Sequence, residues 1–325
     1  PSSNSITGVG FQPDTVWLKE RDGSDNHQLI NAVIGATYYN SPDENVILQT
    51  LAESLQSFDS DGFTVGNAVQ INQSGQLYLS WNWKQGTTTG IDTTGSSITP
   101  TAYSFNQTAG QSVIKYTGDG ATSALIPHGL GAVPAMIVVK GLTTNQDWAI
   151  YHHKMDLTAP EDYYIKYNTS GGRAAATDRW NDTAPTSVLF TVGSDIGVND
   201  AYDYIAYCYT PIQGYSKFGT YEGNGNADGQ FVYCGFRPAF VMCKDIDSSN
   251  SWNVFDNKRL GYNVDNNSMI VNSPNAELTT DLIDLLSNGF KFRSSANPNT
   301  SSTYIFAAFA ESSLVNSNGV PNNAR

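Results

Sequence analysis

One short pattern occurs three times in this chain of 325 residues, and it limits the fold more than any other feature. A glycine is followed by a proline three residues later and by a lysine six residues after that, with an apolar run before the lysine. The three sets are Gly10, Pro13 and Lys19; Gly131, Pro134 and Lys140; and Gly235, Pro238 and Lys244. A period of about 100 residues is long enough for each copy to form a domain with its own core. We therefore predict three copies of one small domain.

A second pattern follows each copy of the first. An aromatic residue is followed nine residues later by an asparagine and then by an apolar run that starts with tyrosine. The sets are Phe63, Asn72 and Tyr78; Phe190, Asn199 and Tyr204; and Phe290, Asn299 and Tyr304. We expect the phenylalanines, Ile205 and Ile305 to be buried. We expect the asparagines to lie in turns, because their side chains bond nearby backbone and tolerate left-handed conformations.

Short β-branched and aromatic runs between Gly, Pro and Asn turn signals predict an all-β protein. The fold expected is three tandem β-sandwich-like (lectin- or jelly-roll-like) repeats: residues 1–84, a connection at 85–97, residues 98–210, residues 217–311 and a tail at 312–325. Two windows, 44–55 and 278–286, have a helical period, and each predicts one or two helical turns. Because residues 210–216 are a short connection, we expect a stiff rod.

Repeats two and three each begin with a strand-like run, at residues 112–118 and 217–223. Repeat one has no counterpart to this leading strand. We expect the strand either upstream of Pro1 or on a neighbouring molecule.

Composition narrows the classes of function. Only 14% of residues are charged, and the net charge is −13 with a pI near 4.5. This acidity argues against nucleic acid and anionic membranes as partners. The sequence contains no run of 18 consecutive apolar residues, so no membrane-spanning helix is predicted. Three cysteines indicate buried free thiols, or one disulfide with a leftover thiol.

The residue types that carry chemistry form no catalytic or metal-binding pattern. The four histidines have no zinc-site spacing, and no nucleophile elbow or phosphate-binding loop occurs. Trp148 and Trp252 lie eight residues after the repeated lysines, where repeat one has His27, and we expect core packing there. A glycosidase needs two facing carboxylates; the acids available are Glu161, Asp162, Asp178 and Asp182. We predict no catalytic residue.

Two kinds of binding site are candidates. Asp59 with Asp61, and Asp245 with Asp247, resemble the start of calcium loops, although turn formation explains these aspartates as well. No other cofactor is expected. For a glycan, which packs its C–H groups on aromatic faces, the candidates are Tyr163, Tyr164, Tyr167 and Trp180.

Several phrases resemble a repeated β-domain of tailed-bacteriophage virion proteins, which are tail-fibre-like or uncharacterised structural proteins. They are Gly-Val-Gly-Phe-Gln-Pro-Asp-Thr-Val-Trp-Leu-Lys at 8–19, Ser-Phe-Asp-Ser-Asp-Gly-Phe-Thr-Val-Gly at 57–66, Leu-Ser-Trp-Asn-Trp-Lys at 79–84, and residues 214–219, 286–290 and 307–311. The resemblance covers nearly the whole chain. It implies a virion part, assembled in the host cytoplasm and used outside the cell, and it gives no catalytic residues.

Together these observations predict a non-catalytic structural or adhesive component of a bacteriophage particle. A tail fibre or a host-surface glycan-binding protein comes first. Capsid decoration is one alternative, and a polysaccharide-degrading tailspike enzyme is another. Expected partners are other virion proteins, a cell-surface glycan and further copies of the chain. A homotrimer is favoured by analogy with phage fibres.

Overall fold

The computed structural model describes residues 2–259, 263 and 266–312. These residues form short antiparallel strands, with two single-turn helices and a 3-10 turn at Pro160–Asp162. The all-β prediction is confirmed. We name residues 2–84 segment 1, residues 98–210 segment 2 and residues 217–311 segment 3; that they are copies of one domain remains a prediction.

Segment 1 has a sheet in the order β3-β2-β8, a smaller sheet in the order β1-β7-β6, and the pair β4-β5. Its elements are β1 Asn4–Thr7, β2 Thr15–Glu20, β3 Gln28–Asn31, β4 Tyr38–Tyr39, β5 Gln49–Thr50, β6 Leu55–Asp59, β7 Gly62–Val65, α1 Val69–Asn72 and β8 Tyr78–Trp83.

Segment 2 has a sheet in the order β13-β12-β17-β10-β9, with the pairs β11-β16 and β14-β15. Its elements are β9 Ala102–Asn106, β10 Gln111–Thr117, β11 Ala124–Pro127, β12 Met136–Gly141, β13 Ala149–His152, β14 Tyr163–Tyr164, β15 Ala174–Ala175, α2 Thr177–Trp180, β16 Leu189–Val192 and β17 Asp203–Tyr209.

Segment 3 has a sheet in the order β18-β25-β20-β21-β22 and a smaller sheet in the order β19-β24-β23. Its elements are β18 Ser216–Glu222, β19 Phe231–Tyr233, β20 Pro238–Asp245, β21 Asn253–Asp256, β22 Met269–Ile270, β23 Ile283–Leu286, β24 Gly289–Phe292 and β25 Thr303–Ala310.

The larger sheets of the three segments share one strand order. The strand that carries the repeated lysine (β2, β12 or β20) lies between the following strand (β3, β13 or β21) and the Tyr-led strand (β8, β17 or β25). In segments 2 and 3 the Tyr-led strand is also paired on its other side, with β10 and β18. Segment 1 has no strand at that place among the described residues. The repeated lysines each lie next to last in their strands.

Each lysine-bearing strand is buried on both faces, which is why its sequence is a nearly continuous apolar run. In β2, Val16 and Leu18 face the interior of segment 1 with Phe63, whereas Trp17 faces a core shared by all three segments. The strands β12 and β20 alternate in the same way between their own sandwich and the shared core. The predicted burial of Phe63, Phe190, Phe290, Ile205 and Ile305 is confirmed.

The shared core makes the molecule a closed ring of three segments, so the predicted rod is wrong. One backbone N–H of each segment donates a hydrogen bond to the next segment around the ring. The acceptor is the carbonyl of the residue two positions after the repeated lysine of that next segment. These bonds run from Leu48 to Leu142 at 2.9 Å, from Arg173 to Ile246 at 2.7 Å, and from Glu277 to Arg21 at 2.8 Å. A rod would leave the outer faces of the large sheets in water, and those faces carry large aromatic rings that are stabilised by burial.

Three smaller expectations have clear outcomes. The prediction of helical turns at 44–55 and 278–286 is wrong, because strands β5 and β23 form there and neither window contains a helix. The connection at 85–97 packs on segment 2, where Thr87 forms a bridge with Phe105. The three cysteines are buried free thiols, as predicted.

Candidate functional site

The aromatic position eight residues after each repeated lysine joins neighbouring segments. Trp148 donates from Nε1 to the Ser41 carbonyl of segment 1 at 2.9 Å. Trp252 donates in the same way to the Lys166 carbonyl of segment 2 at 2.7 Å. Both indoles are fully buried, so the prediction of core packing is confirmed.

His27 completes the ring at the same position in segment 1. Its Nε2 lies 3.0 Å from the Ile270 carbonyl of segment 3, and its Nδ1 accepts a hydrogen bond from Trp17 Nε1 at 3.0 Å. These partners require the neutral imidazole with its proton on Nε2. Burial, with a smaller effect from Lys19, lowers the pKa of His27 to about 3. This histidine is a structural partner at the contact between segments 1 and 3.

All three repeated lysines are buried, and two of them, Lys140 and Lys244, lie at contacts between segments. Lys140 donates to the carbonyls of Gln146 at 2.6 Å and Asn45 at 3.2 Å. Lys244 donates to those of Asp245 at 2.6 Å and Ser170 at 3.1 Å. Burial lowers the pKa of both ammonium groups to about 8. Their donors therefore satisfy backbone carbonyls where two segments meet.

A small cavity lies inside the shared core. Its volume is about 30 Å³, and side chains of all three segments line it, including Trp17, Tyr207 and Phe240. A cavity of this size accommodates about one water molecule. It is too small for an organic ligand.

The structure corrects half of the predicted glycan-binding set. Tyr167 is 5% exposed and packs against Trp148 and Trp252 in the shared core. Trp180 is 2% exposed and donates from Nε1 to the Tyr163 carbonyl. The prediction that Tyr167 and Trp180 bind a glycan is wrong, because a buried aromatic side chain has no face that a glycan can reach.

Tyr163 and Tyr164 are half-buried beside two guanidinium groups. The Arg173 guanidinium lies 4.9 Å from the Tyr163 ring centroid, and that of Arg179 lies 3.9 Å from the Tyr164 ring. In a cation–π pair of this kind the cation covers one of the two faces of the ring. The edges of both rings remain candidates for glycan contact.

The predicted calcium aspartates accept hydrogen bonds from protein groups, some in their own loops and others more than 50 residues away in sequence. Asp61 accepts from the backbone N–H groups of Gly8 and Gly10, and Asp59 accepts from the hydroxyl of Thr64. Asp245 accepts from Ser248 and Asn250, and Asp247 accepts from the Thr303 N–H. Within the described residues, no group of three or more His, Cys, Asp or Glu is placed to hold a metal ion. Turn formation explains Asp245, which accepts from the N–H groups of Asp247 and Ser248, whereas Asp61 and Asp247 bond backbone distant in sequence.

The acids considered for a glycosidase include one close group. The pKa of Asp182 is raised, first by desolvation and then by Asp162 and Glu161 beside it. Asp178 belongs to α2, one turn away from this group in sequence. Proximity of carboxylates is the one feature here that bears on the enzyme alternative.

An open groove between β18 and β19 was missed by the sequence analysis. It has a volume of about 230 Å³ and is lined by Lys217, Thr220, Gln230, Phe231 and Tyr233, among others. Phe231 is 39% exposed and Tyr233 is 55% exposed, whereas Val232 between them is buried. The alternation of a strand puts both aromatic rings on the solvent face, and this signal was available in the sequence.

The groove combines aromatic faces with polar groups. Lys217 Nζ lies 5.1 Å from the Tyr233 ring centroid and donates to the Tyr233 carbonyl at 2.7 Å. Gly219 forms part of the floor, where an added Cβ would lie 2.7 Å from the Phe306 ring. Ring faces beside an amide, a hydroxyl and an ammonium are the groups that contact sugars.

Residues 1–313 match the family described as a domain of unknown function, DUF7483. The chain belongs to this family. No curated protein and no solved structure gives a significant match.

The DUF7483 match covers all three segments and ends after β25. The matched residues therefore include the shared core and the contacts between segments. No helix in the described part of the chain is both long and apolar enough to span a bilayer.

Proposed function

We propose that this chain is a non-catalytic structural and adhesive component of a bacteriophage particle, acting first as a tail-fibre or host-attachment protein that binds a surface glycan. The resemblance of its repeated phrases to phage virion domains supports the virion context. The weakly charged, acidic surface supports a role away from nucleic acid and anionic membranes.

Where the chemistry-bearing residues lie supports a structural role. His27, His128, His152 and the repeated lysines are buried. His27 and the two lysines Lys140 and Lys244 use their polar atoms to hold one segment to the next or to order a loop. Such groups stabilise the ring from inside.

The groove between β18 and β19 is the observation that carries the adhesive part of the proposal. Two exposed aromatic rings with Lys217, Gln230 and Thr220 form an open shelf, as glycan recognition requires.

The test is binding of the purified protein to host cells and to their isolated surface polysaccharide. Tyr233→Ala should weaken binding about tenfold, because stacked aromatic contacts contribute about 1 kcal/mol or more. Tyr202→Ala, at a similarly exposed tyrosine outside the groove, should leave binding unchanged. Equal binding by wild type and Tyr233→Ala would reject this groove.

Capsid decoration is the second candidate, and the ring favours it. Three large sheets with the same strand order surround one shared core. A single chain built in this way approximates three-fold symmetry, as a protein seated on a three-fold axis of a capsid lattice would need. Immunogold labelling and quantitative mass spectrometry of purified particles separate the two roles. A few dozen copies or fewer at the tail support attachment, and hundreds on the head support decoration.

The enzyme alternative and the oligomer have their own tests. Host polysaccharide incubated with the protein should keep its chain length, and cleavage that is lost in Asp182→Asn would support the tailspike enzyme.

For assembly we keep the trimer as the proposal, with other virion proteins as further partners. Native mass spectrometry of the intact protein measures it directly.

A further inference from the structure

The outer edge of β8 has no partner strand among the described residues. In segments 2 and 3 the equivalent strands β17 and β25 are paired on both sides, and all their inner residues are buried. In β8 only alternate residues are buried. Because the Arg21 N–H bonds the Leu77 carbonyl, every second residue of β8 is bonded to β2. The amides of Tyr78, Ser80 and Asn82 then point outward.

A groove of about 940 Å³ follows this edge. Residues 78–84 form one wall, and the other walls include Phe240 and Phe309 at the rim of the shared core, with Asn257 beyond them. In segment 3 the strand β18 occupies the corresponding place, where Phe218 is 5% exposed within the shared core. The groove has the position and the apolar floor of a strand site.

Asn257 lies in this groove with unsatisfied polar atoms. It is 6% exposed, and within the described part of the chain neither its Nδ2 nor its Oδ1 has a hydrogen-bond partner. Its counterpart in segment 2, also five residues after the repeated tryptophan, is His153. His153 Nε2 lies 3.2 Å from the Phe218 carbonyl in β18. Asn257 therefore faces the place where a strand carbonyl would lie, and an unpaired buried amide is costly.

The repeated asparagine fixes where such a strand would connect. Asn199 donates to the Ala121 carbonyl at 2.9 Å, and Asn299 donates to the Asn226 carbonyl at 2.8 Å. The strands β10 and β18 end at Thr117 and Glu222, four residues before these two carbonyls. Asn72 holds the Ser2 carbonyl in the same way at 3.0 Å.

We propose that this β8 groove is the acceptor site for one extended strand, antiparallel to β8 and joined in cis to Ser2 by the same short turn. Its chemistry follows from the two strands that fill the equivalent places. The third residue of each is apolar and faces the shared core, as Val113 and Phe218 do. The sixth residue of each is a tyrosine stacked on the Tyr-led strand, Tyr116 on Tyr204 and Tyr221 on Tyr304. The sixth residue of the proposed strand would stack on Tyr78, which lines the groove.

The test grafts the sequence of residues 111–120 directly ahead of Ser2, in place of Pro1. Hydrogen exchange of the Tyr78, Ser80 and Asn82 amides should slow by about tenfold or more in the grafted protein. A matched graft with lysine at its third position and serine at its sixth should leave exchange unchanged. Fast exchange in both grafts would overturn the proposal.

Two further arms test the connection and the contact. The same peptide added in trans to the ungrafted protein should protect these amides less than the graft does. Protection by the free peptide but not by the graft would mean that another chain supplies the strand, which contradicts the cis connection. Asn257→Leu should leave the Tm of the ungrafted protein unchanged or raised, and should reduce the gain in Tm that the graft gives. An equal effect of Asn257→Leu in both proteins would reject the proposed contact of Asn257 with the strand.

Discussion

Trp17 donates a hydrogen bond from its indole Nε1 to Nδ1 of His27 at 3.0 Å, and this contact leaves no room for a proton on Nδ1. The other imidazole nitrogen faces the carbonyls of Ile270 and Ser273 in segment 3. The contact between segments 1 and 3 therefore depends on a neutral histidine.

The first prediction is that acid weakens the fold through His27. Its pKa is lowered to about 3 in the folded protein, against 6.5 when exposed. Below pH 6.5 the unfolded chain protonates His27 and the folded chain does not, so His27 by itself contributes a fall in unfolding free energy of about 1.4 kcal/mol per pH unit. Asp43, whose pKa is raised to about 7 by burial, acts in the opposite direction over this range. Comparison with His27→Gln isolates the histidine, and the variant should lose less stability between pH 7 and 4.5 in urea titrations. Identical pH profiles would contradict this role.

The second prediction concerns Glu277, which pairs with Arg21 of segment 1 and with Arg259 of its own segment 3. Glu277 accepts from Arg21 at 2.8 Å and from Arg259 at 2.8 Å, and all three side chains are mostly buried. Glu277→Gln should lower the unfolding free energy by about 3 kcal/mol, because it leaves the Arg21 guanidinium without its carboxylate partner. Arg259 keeps its ion pair with Asp256 at 2.8 Å. Asp203→Asn, in the half-exposed pair with Lys115, should cost less than about 1 kcal/mol. Equal losses in the two variants would reject the ring contact as a stabilising one.

The third prediction tests the interior of segment 3. Phe290 is fully buried in β24 and packs edge-on against Phe292 and Phe306. Phe290→Ala should cost about 3–5 kcal/mol through the cavity it leaves. Phe231→Ala, on the solvent face of neighbouring β19, should cost less than about 1 kcal/mol. Guanidinium titrations of both variants give the comparison, and a loss below about 1 kcal/mol for Phe290→Ala would place this ring outside the core.

The fourth prediction is that the ring unfolds as one unit. Loss of one segment would expose the shared-core residues of the other two, such as Met136, Trp17 and Phe240. Calorimetry should therefore give one transition, with equal calorimetric and van't Hoff enthalpies. Two or three separate transitions would support independent domains in a row instead.

The sequence by itself predicted the main strands of this protein, although not β5 and β23 in the two windows with a helical period. Runs such as Val16-Trp17-Leu18 are apolar without interruption and follow Gly and Pro, which predicts strands, and such strands formed, buried on both faces. The repeated Phe markers predicted a buried aromatic side chain, and the repeated Asn markers predicted a turn. Asn199 and Asn299 lie in bends, whereas Asn72 is the last residue of α1. The physical basis of these predictions is short in range: burial, alternation and turn chemistry depend on neighbours a few residues away.

Only the tertiary structure decided what the second face of each large sheet meets. The same apolar pattern suits a rod with other chains packed on it or a ring closed on itself, and the ring followed because the three faces fit one another around Trp17, Tyr167 and Phe240. That closure took Tyr167 into the core, although its sequence surroundings look like an exposed loop. Among the described residues, it also left the edge of β8 and the side chain of Asn257 without partners. Residues far apart in the chain make these contacts, and spacing along a sequence carries no measure of which distant surfaces are complementary.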